Sequence, residues 1–212
     1  MNFIEAIQTY SGQPITSQLL LDLLKEYRRP LDKIEELINQ KKLIRVKRGI
    51  YVAGPALKIS QPEPLLLANH LAGPSYVSLQ TALSYWRLIP EKVYEISSMT
   101  TSRSKTYHTP IGRYTYTHLP LPYYAFGQQQ AELAEKQVAL VASAEKAICD
   151  TIIATSGLRL RSQDQTRKWL LENMRMDIQV LRTLHINIIR EWLKNAPKID
   201  SLQLLIETME NL

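Results

Sequence analysis

One cysteine, Cys149, in 212 residues rules out an internal disulfide and argues against a thiolate-rich metal site. A reducing cytoplasm is the expected home. Glycine is also scarce, and none of the seven falls into a GxGxxG or Walker pattern, so the backbone cradles that hold nucleotide phosphates have no counterpart. The four histidines, His70, His108, His118 and His185, never recur at the i, i+4 spacing of a helical metal clamp. No apolar run approaches the roughly 18 residues of a membrane span. Met1 to Tyr10 contains Glu5 and no long apolar block, so neither export nor membrane insertion is expected. Catalytic carboxylate sets are missing too: there is no Asp-x-Asp pair, and Glu145 and Asp150, five residues apart on one helix, fall on different faces. These gaps leave no catalytic residue to name, no metal site and no cofactor, and the expectation is a protein that is not an enzyme. An enzyme acting on nucleic acid would have to rest on the basic and aromatic middle of the chain alone.

What the chain does have is an ordinary apolar content of 45%, enough for a real core, and a net charge of +6 with a pI near 9.3. The distribution of that charge says more than its size. Lys and Arg outnumber Asp and Glu by 10 to 6 in residues 1–58 and by 5 to 3 in 59–130, and the two balance at 11 each in 131–212. The densest stretch is Lys41 to Arg48, where five of eight residues are basic and none is acidic. Leu43 to Val46 and Ile50 to Val52 alternate as strands around it, and Gly49 supplies the positive φ of a tight turn, so a β-hairpin with a cationic tip is expected. Such a tip repels itself unless a polyanion faces it, and nucleic acid is the commonest in a cytosol; a hairpin whose charges are merely solvated is the competing reading.

The residues before the hairpin bear on that choice. Pro30 opens a helix with Leu31, Ile34, Leu37 and Ile38 in one stripe; Thr16 or Ser17 caps another with Leu19, Leu20, Leu23 and Leu24 inward; Glu5 to Tyr10 forms a third. Three helices followed by a basic two-stranded wing is the order of a winged helix-turn-helix, which makes double-stranded DNA the expected partner. The candidate DNA-contacting residues are Arg28, Arg29, Lys33, Lys41, Lys42, Arg45, Lys47 and Arg48. Asp32, Glu35 and Glu36 make the third helix acidic outside. Either these carboxylates accept from cytosine amino groups, or the helix stays out of the groove and the first domain binds a protein instead.

Gly54, Pro55, Pro62 and Pro64 mark a linker, so the expected division is a DNA-binding domain over 1–58 and a second domain over 59–212. The whole is an α+β protein: an N-terminal winged helix-turn-helix, then a mixed α/β domain with a small antiparallel sheet and a helical C-terminal part. Helices are expected over Leu65 to Leu71 and after Ser75 or Ser78, then strands at Val93 to Ser97, Lys105 to Thr109 and Arg113 to His118, the last two joined by the turn Thr109 to Gly112. From Ile96 to Ala131 there is no acidic residue. Arg103, Lys105 and Arg113, with His108 and His118, are interleaved there with Tyr107, Tyr114, Tyr116, Tyr123 and Tyr124. They are a possible second basic surface that stacks bases, or else the tyrosines pack a half-buried sheet. The last third reads as helical throughout, with Ser143 capping a helix closed by Gly157, and further runs at Arg167 to Leu184, Asn187 to Leu193 and Ser201 to Met209. Cys149 lies in an apolar helical stripe and reads as an inert buried thiol.

Four runs, Leu43 to Tyr51, Gly73 to Leu83, His108 to Tyr114 and Ala144 to Asp150, together resemble the AbiEi-type abortive-infection antitoxins, over about residues 15–155. The resemblance implies a bacterial type IV antitoxin that represses its own operon through promoter inverted repeats. It also implies a nucleotidyltransferase-like toxin as functional partner, countered without a stable complex, and it carries DNA contact onto Lys47 and Arg48. A free-standing transcriptional regulator is the alternative.

Overall fold

The computed structural model describes residues 3–212. Local signals account for the first elements. Helix α1 covers Phe3–Gln8, and a two-residue strand β1, Ile15–Thr16, leads into α2, Ser17–Leu23, where the Thr16 hydroxyl caps the helix by accepting from the Leu19 amide at 3.2 Å. Helix α3, Pro30–Asn39, opens on a proline whose missing N–H costs nothing at that position. It ends in a Schellman turn: the Lys41 amide donates to the Ile38 carbonyl and the Lys42 amide to the Leu37 carbonyl, both at 2.9 Å, with Lys41 in the left-handed region at φ 56°. Strands β2, Leu43–Lys47, and β3, Ile50–Ala53, form the hairpin, with Arg48-Gly49 as its two-residue loop and Gly49 at φ 90°. A register shift between Arg45 and Lys47 leaves Val46 as a bulge, and β1 pairs antiparallel with β3 to complete a three-stranded sheet. Ile7, Leu20, Leu24, Ile34, Leu37 and Tyr51 pack between the helices and this sheet. Leu31 does not join them. It is 68% exposed, because one turn before Ile34 the helix has already run past the edge of that core.

The larger unit is built on a six-stranded mixed sheet. Its strands are β4 (Ser75–Val77), β5 (Ile96–Thr100), β6 (Lys105–Thr109), β7 (Gly112–His118), β8 (Gln128–Glu132) and β9 (Val138–Ala142), in the order β6-β7-β5-β4-β9-β8. The β4/β9 and β5/β7 pairs are parallel and the others antiparallel. Helix α4, Pro64–Leu71, covers one face, where the Tyr116 hydroxyl donates to its Ala68 carbonyl at 2.6 Å and Asn69 exchanges two hydrogen bonds with the Leu140 backbone. Helices α5 (Leu79–Tyr85) and α6 (Ala144–Ala154) cover the other face, which Tyr76 reaches through Asp150. Behind α6 lie α7 (Gln163–Lys168), α8 (Ile178–Leu181), α9 (Ile186–Leu193) and α10 (Ile199–Glu210).

The hairpin belongs to both units. Along β3 the side chains alternate: Tyr51 enters the small core, and Ile50 and Val52 enter the large one together with Ile44 and Val46 of β2. Both faces of the ribbon are therefore buried, and only its tip and edge reach water.

Several expectations are corrected. The strand expected at Val93 to Ser97 begins three residues later, because α5 occupies the backbone ahead of it: Ser84 donates to the Glu91 carbonyl, and Thr81 donates to the Glu95 carbonyl while accepting from the Ser97 amide. From Ser143 onward every regular element is helical, as expected, and β8 and β9 lie before that point. The run Arg167 to Leu184 is broken: α7 widens into a π-helical turn at Trp169–Asn173, Arg175 turns left-handed at φ 51°, and Asp177 caps α8. Ser78 precedes α5 without capping it, because its hydroxyl is committed to Asp150 at 2.7 Å.

Candidate nucleic-acid interface

The cations of the first unit fall into two groups. Arg28, Lys41, Lys42 and Arg48 make no side-chain ion pair or hydrogen bond among the described residues; all but the half-buried Lys42 are exposed. They sit before α3, on its exit and at the hairpin turn. The other four are engaged by their own chain. Arg29 lies 3.6 Å from Asp32, with both side chains in water. Lys33 donates to Glu36 at 2.7 Å and lies 5.4 Å from the Tyr27 ring centroid; that hydrogen bond draws the Glu36 carboxyl below its ordinary pKa. Arg45 is paired with Glu35 across from α3 and lies over the Tyr51 ring. Exposed pairs of this kind contribute at most about 1 kcal/mol, yet each cancels a positive charge at the place where a phosphate would need it.

Lys47 corrects the simplest picture of the wing. It does not project from a free tip. Its ammonium donates to the Leu71 carbonyl at the end of α4 and lies 5.2 Å from the Tyr107 ring centroid. The cause is the two-sided burial of the ribbon: with Val46 and Val52 held in the large core, the end of β2 is pressed against α4 and β6.

That docking brings together residues that the sequence places apart. Lys47, His70, Arg103, Lys105 and Tyr107 line one pocket of about 280 Å³, floored by the Ala72-Gly73 turn. Lys105 lies over the same Tyr107 ring as Lys47, at 4.7 Å. No carboxylate lines this pocket. Arg113 is not part of it. It faces the other side of β7 from Tyr114 and pairs with Glu95 at 3.0 Å. On that side lies a cavity of about 620 Å³ with Ser97, Thr106, Thr115 and Thr117 in its walls. The chain matches no protein-family model and no curated protein.

The base-stacking platform is a further correction. Tyr114, Tyr116, Tyr123 and Tyr124 are all buried, and Tyr107 packs edge-on against Tyr116 with ring centroids 5.7 Å apart. Burial raises the phenol of Tyr114 to about 12 and that of Tyr116 further still. These four buried rings are core, Tyr116 against α4 and Tyr123 against Lys146 of α6, and they present no open ring for a base to stack on.

Sequence reasoning missed a buried polar cluster under α6, on the opposite face of the sheet from Tyr116. Lys146 and Asp150, one turn apart on α6, are both fully buried and joined at 2.5 Å. Lys146 also donates to the Tyr76 hydroxyl at 2.9 Å and sits 4.0 Å from the Tyr123 ring centroid, and Asp150 accepts from Tyr76 at 2.9 Å and from Ser78. The i, i+4 spacing was the available signal, but on its own it describes a surface pair. Next to it, Cys149 is fully buried, and burial first, with Asp150 second, raises its thiol to about 12. Native protein is therefore expected to be silent toward a chromogenic disulfide reagent over minutes at pH 8, and to titrate one thiol per chain in denaturant. Stoichiometric reaction before unfolding would contradict that burial.

Proposed function

We propose that this protein is a DNA-binding regulator whose first unit is a winged helix-turn-helix. The carrying observation is the set of cations without a side-chain ion pair or hydrogen bond among the described residues, Arg28, Lys41, Lys42 and Arg48, spaced around α3 and the hairpin turn, where such a unit meets the phosphates flanking its groove. The resemblance of four sequence runs to AbiEi-type antitoxins extends the reading. On it, the protein represses its own operon at promoter inverted repeats and counters a nucleotidyltransferase-like toxin without a stable complex. The engaged Lys47 and Arg45 narrow the DNA-facing set relative to the full basic run.

The test is a salt titration of binding to double-stranded DNA from the region upstream of the gene. Replacing Lys41, Lys42 and Arg48 by alanine together is expected to make the slope of log K against log salt shallower by about 2.7, at roughly 0.9 for each phosphate that the variant no longer neutralises. Arg45→Ala, which removes a charge already paired with Glu35, is expected to change the slope by less than about 0.5. An unchanged slope in the triple variant would remove this surface from DNA binding.

One observation favours a second reading. On α3 Leu31 is exposed next to Asp32 and one turn before Glu35, and Tyr27 ahead of the helix is 43% exposed, apolar surface suited to a protein. In that case the unit is an interaction module. Stoichiometric recovery of the neighbouring toxin from the native host, free of DNA, would support it over the first.

A further inference from the structure

We propose that the pocket between the end of β2 and the edge of the six-stranded sheet binds a phosphomonoester, the dianionic phosphate group of a small metabolite. This site is independent of the DNA-contacting surface, and nothing in the DNA reading requires it.

Three formal positive charges, on Lys47, Arg103 and Lys105, line a concavity of about 280 Å³ with no carboxylate among its walls. Elsewhere in the first unit and the sheet edge, several cations have a nearby acid: Arg29 has Asp32, Lys33 has Glu36, Arg45 has Glu35 and Arg113 has Glu95. Here the like charges converge unopposed, an arrangement that is unfavourable while empty and is relieved by an anion. Donors remain to hold one. The Leu71 carbonyl takes a single N–H of the Lys47 ammonium, which has three, and Arg103 makes no side-chain ion pair or hydrogen bond among the described residues. Two ammoniums and a guanidinium around one hollow match the several acceptor oxygens of a tetrahedral dianion better than they match a planar carboxylate.

Shape restricts the ligand further. Lys47 and Lys105 both lie over the Tyr107 ring, so that ring is occupied and a nucleobase finds no stacking partner. The volume is below the usual range for a whole drug-sized ligand, and accommodates a phosphate with the first atoms of whatever carries it. His70 also lines the pocket, and partial desolvation lowers its pKa below the ordinary imidazole value.

The experiment uses the full chain, without DNA, at constant ionic strength set with sodium chloride. Inorganic phosphate is titrated by calorimetry and by phosphorus NMR line width, and AMP is compared with adenosine. Saturable binding of one phosphate per chain is expected, with AMP binding and adenosine not. Arg103→Gln combined with Lys105→Gln is expected to weaken binding about tenfold or more, and Arg113→Gln to leave it unchanged, with an unaltered urea midpoint showing that each variant folds. No saturable binding overturns the proposal, as does equal loss in the Arg113 variant. In a final arm, a duplex with 5′-hydroxyl ends is added. Displacement of phosphate by that duplex, sensitive to the same double variant, would put a backbone phosphodiester in the pocket and overturn the small-ligand assignment.

Discussion

Replacing Lys146 by methionine is expected to destabilise the protein by about 3–5 kcal/mol, because the change strands the fully buried Asp150 carboxylate without its counter-charge. Methionine nearly preserves the volume of the lysine stem, so the loss reports charge rather than a cavity. The stem is tightly held: a Cβ placed on Gly127 would lie 2.7 Å from that of Lys146. Removing the acid as well, with Lys146→Met and Asp150→Leu, is expected to return part of the lost stability, leaving the cost of the Tyr76 and Ser78 hydroxyls that then lack their acceptor. Urea unfolding of the two variants measures both quantities. At roughly 2–4 °C per kcal/mol for a chain of this size, the single variant melts on the order of 10 °C lower. Equal stability of wild type and Lys146→Met would mean that the pair does not hold β4 to α6.

The second large effect is expected at Gly54, which has an ordinary extended φ of −87° and is needed for closeness rather than for a left-handed turn. A Cβ there would run into the Lys41 carbonyl oxygen and approach the Lys41 and Lys42 carbonyl carbons at 2.7 and 2.8 Å. Those atoms cannot swing aside. They form the Schellman turn that ends α3, and they are also hydrogen-bonded to the Gly54 and Ala56 amides at 2.8 and 3.1 Å. Gly54→Ala is expected to cost about 3 kcal/mol, by forcing the exit of α3 away from the end of β3. Gly73→Ala, where a Cβ would meet nothing within 4 Å, serves as the control and is expected to change stability by less than about 1 kcal/mol. A Gly54→Ala midpoint equal to that of the control would show that the turn yields.

Much of the N-terminal unit was legible because its signals are local. Thr16, Pro30 and the Arg48-Gly49 loop each act within a few residues, and each does what its type predicts. The same holds for β6 and β7, whose turn is fixed by Pro110, by Gly112, and by the Thr109 hydroxyl donating to the Gly112 carbonyl. What was not legible depends on partners far along the chain. Strand β4 has three residues, and its parallel neighbour β9 is more than sixty residues away, so no turn announces the pair. Whether Lys47 points into water or into the protein is decided by Leu71 and Tyr107, and whether the Lys146–Asp150 pair is wet or dry is decided by Tyr76 and Ser78. In the candidate site, sequence grouped Arg103, Lys105 and Arg113 together because they share one segment. It could not say that Lys47 would join Arg103 and Lys105 while Arg113 turned to the opposite side of the sheet. The continuous apolar run Ile50 to Val52 held a clue, since a strand apolar at successive positions is buried on both faces. Distant runs also meet: Gly73 to Leu83 joins Ala144 to Asp150 in the buried cluster. The hairpin run and His108 to Tyr114 meet across a groove lined by Ile44, Ile111 and Tyr114.

A ribbon that walls two cores also limits how this chain can vary. Ile44, Val46, Ile50 and Val52 are fitted to α4 and to the tyrosines of the larger sheet, so transplanting the front of the molecule onto an unrelated body would leave an oily back without a mate. A change of side-chain size on one side of that wall is therefore felt in the packing on the other.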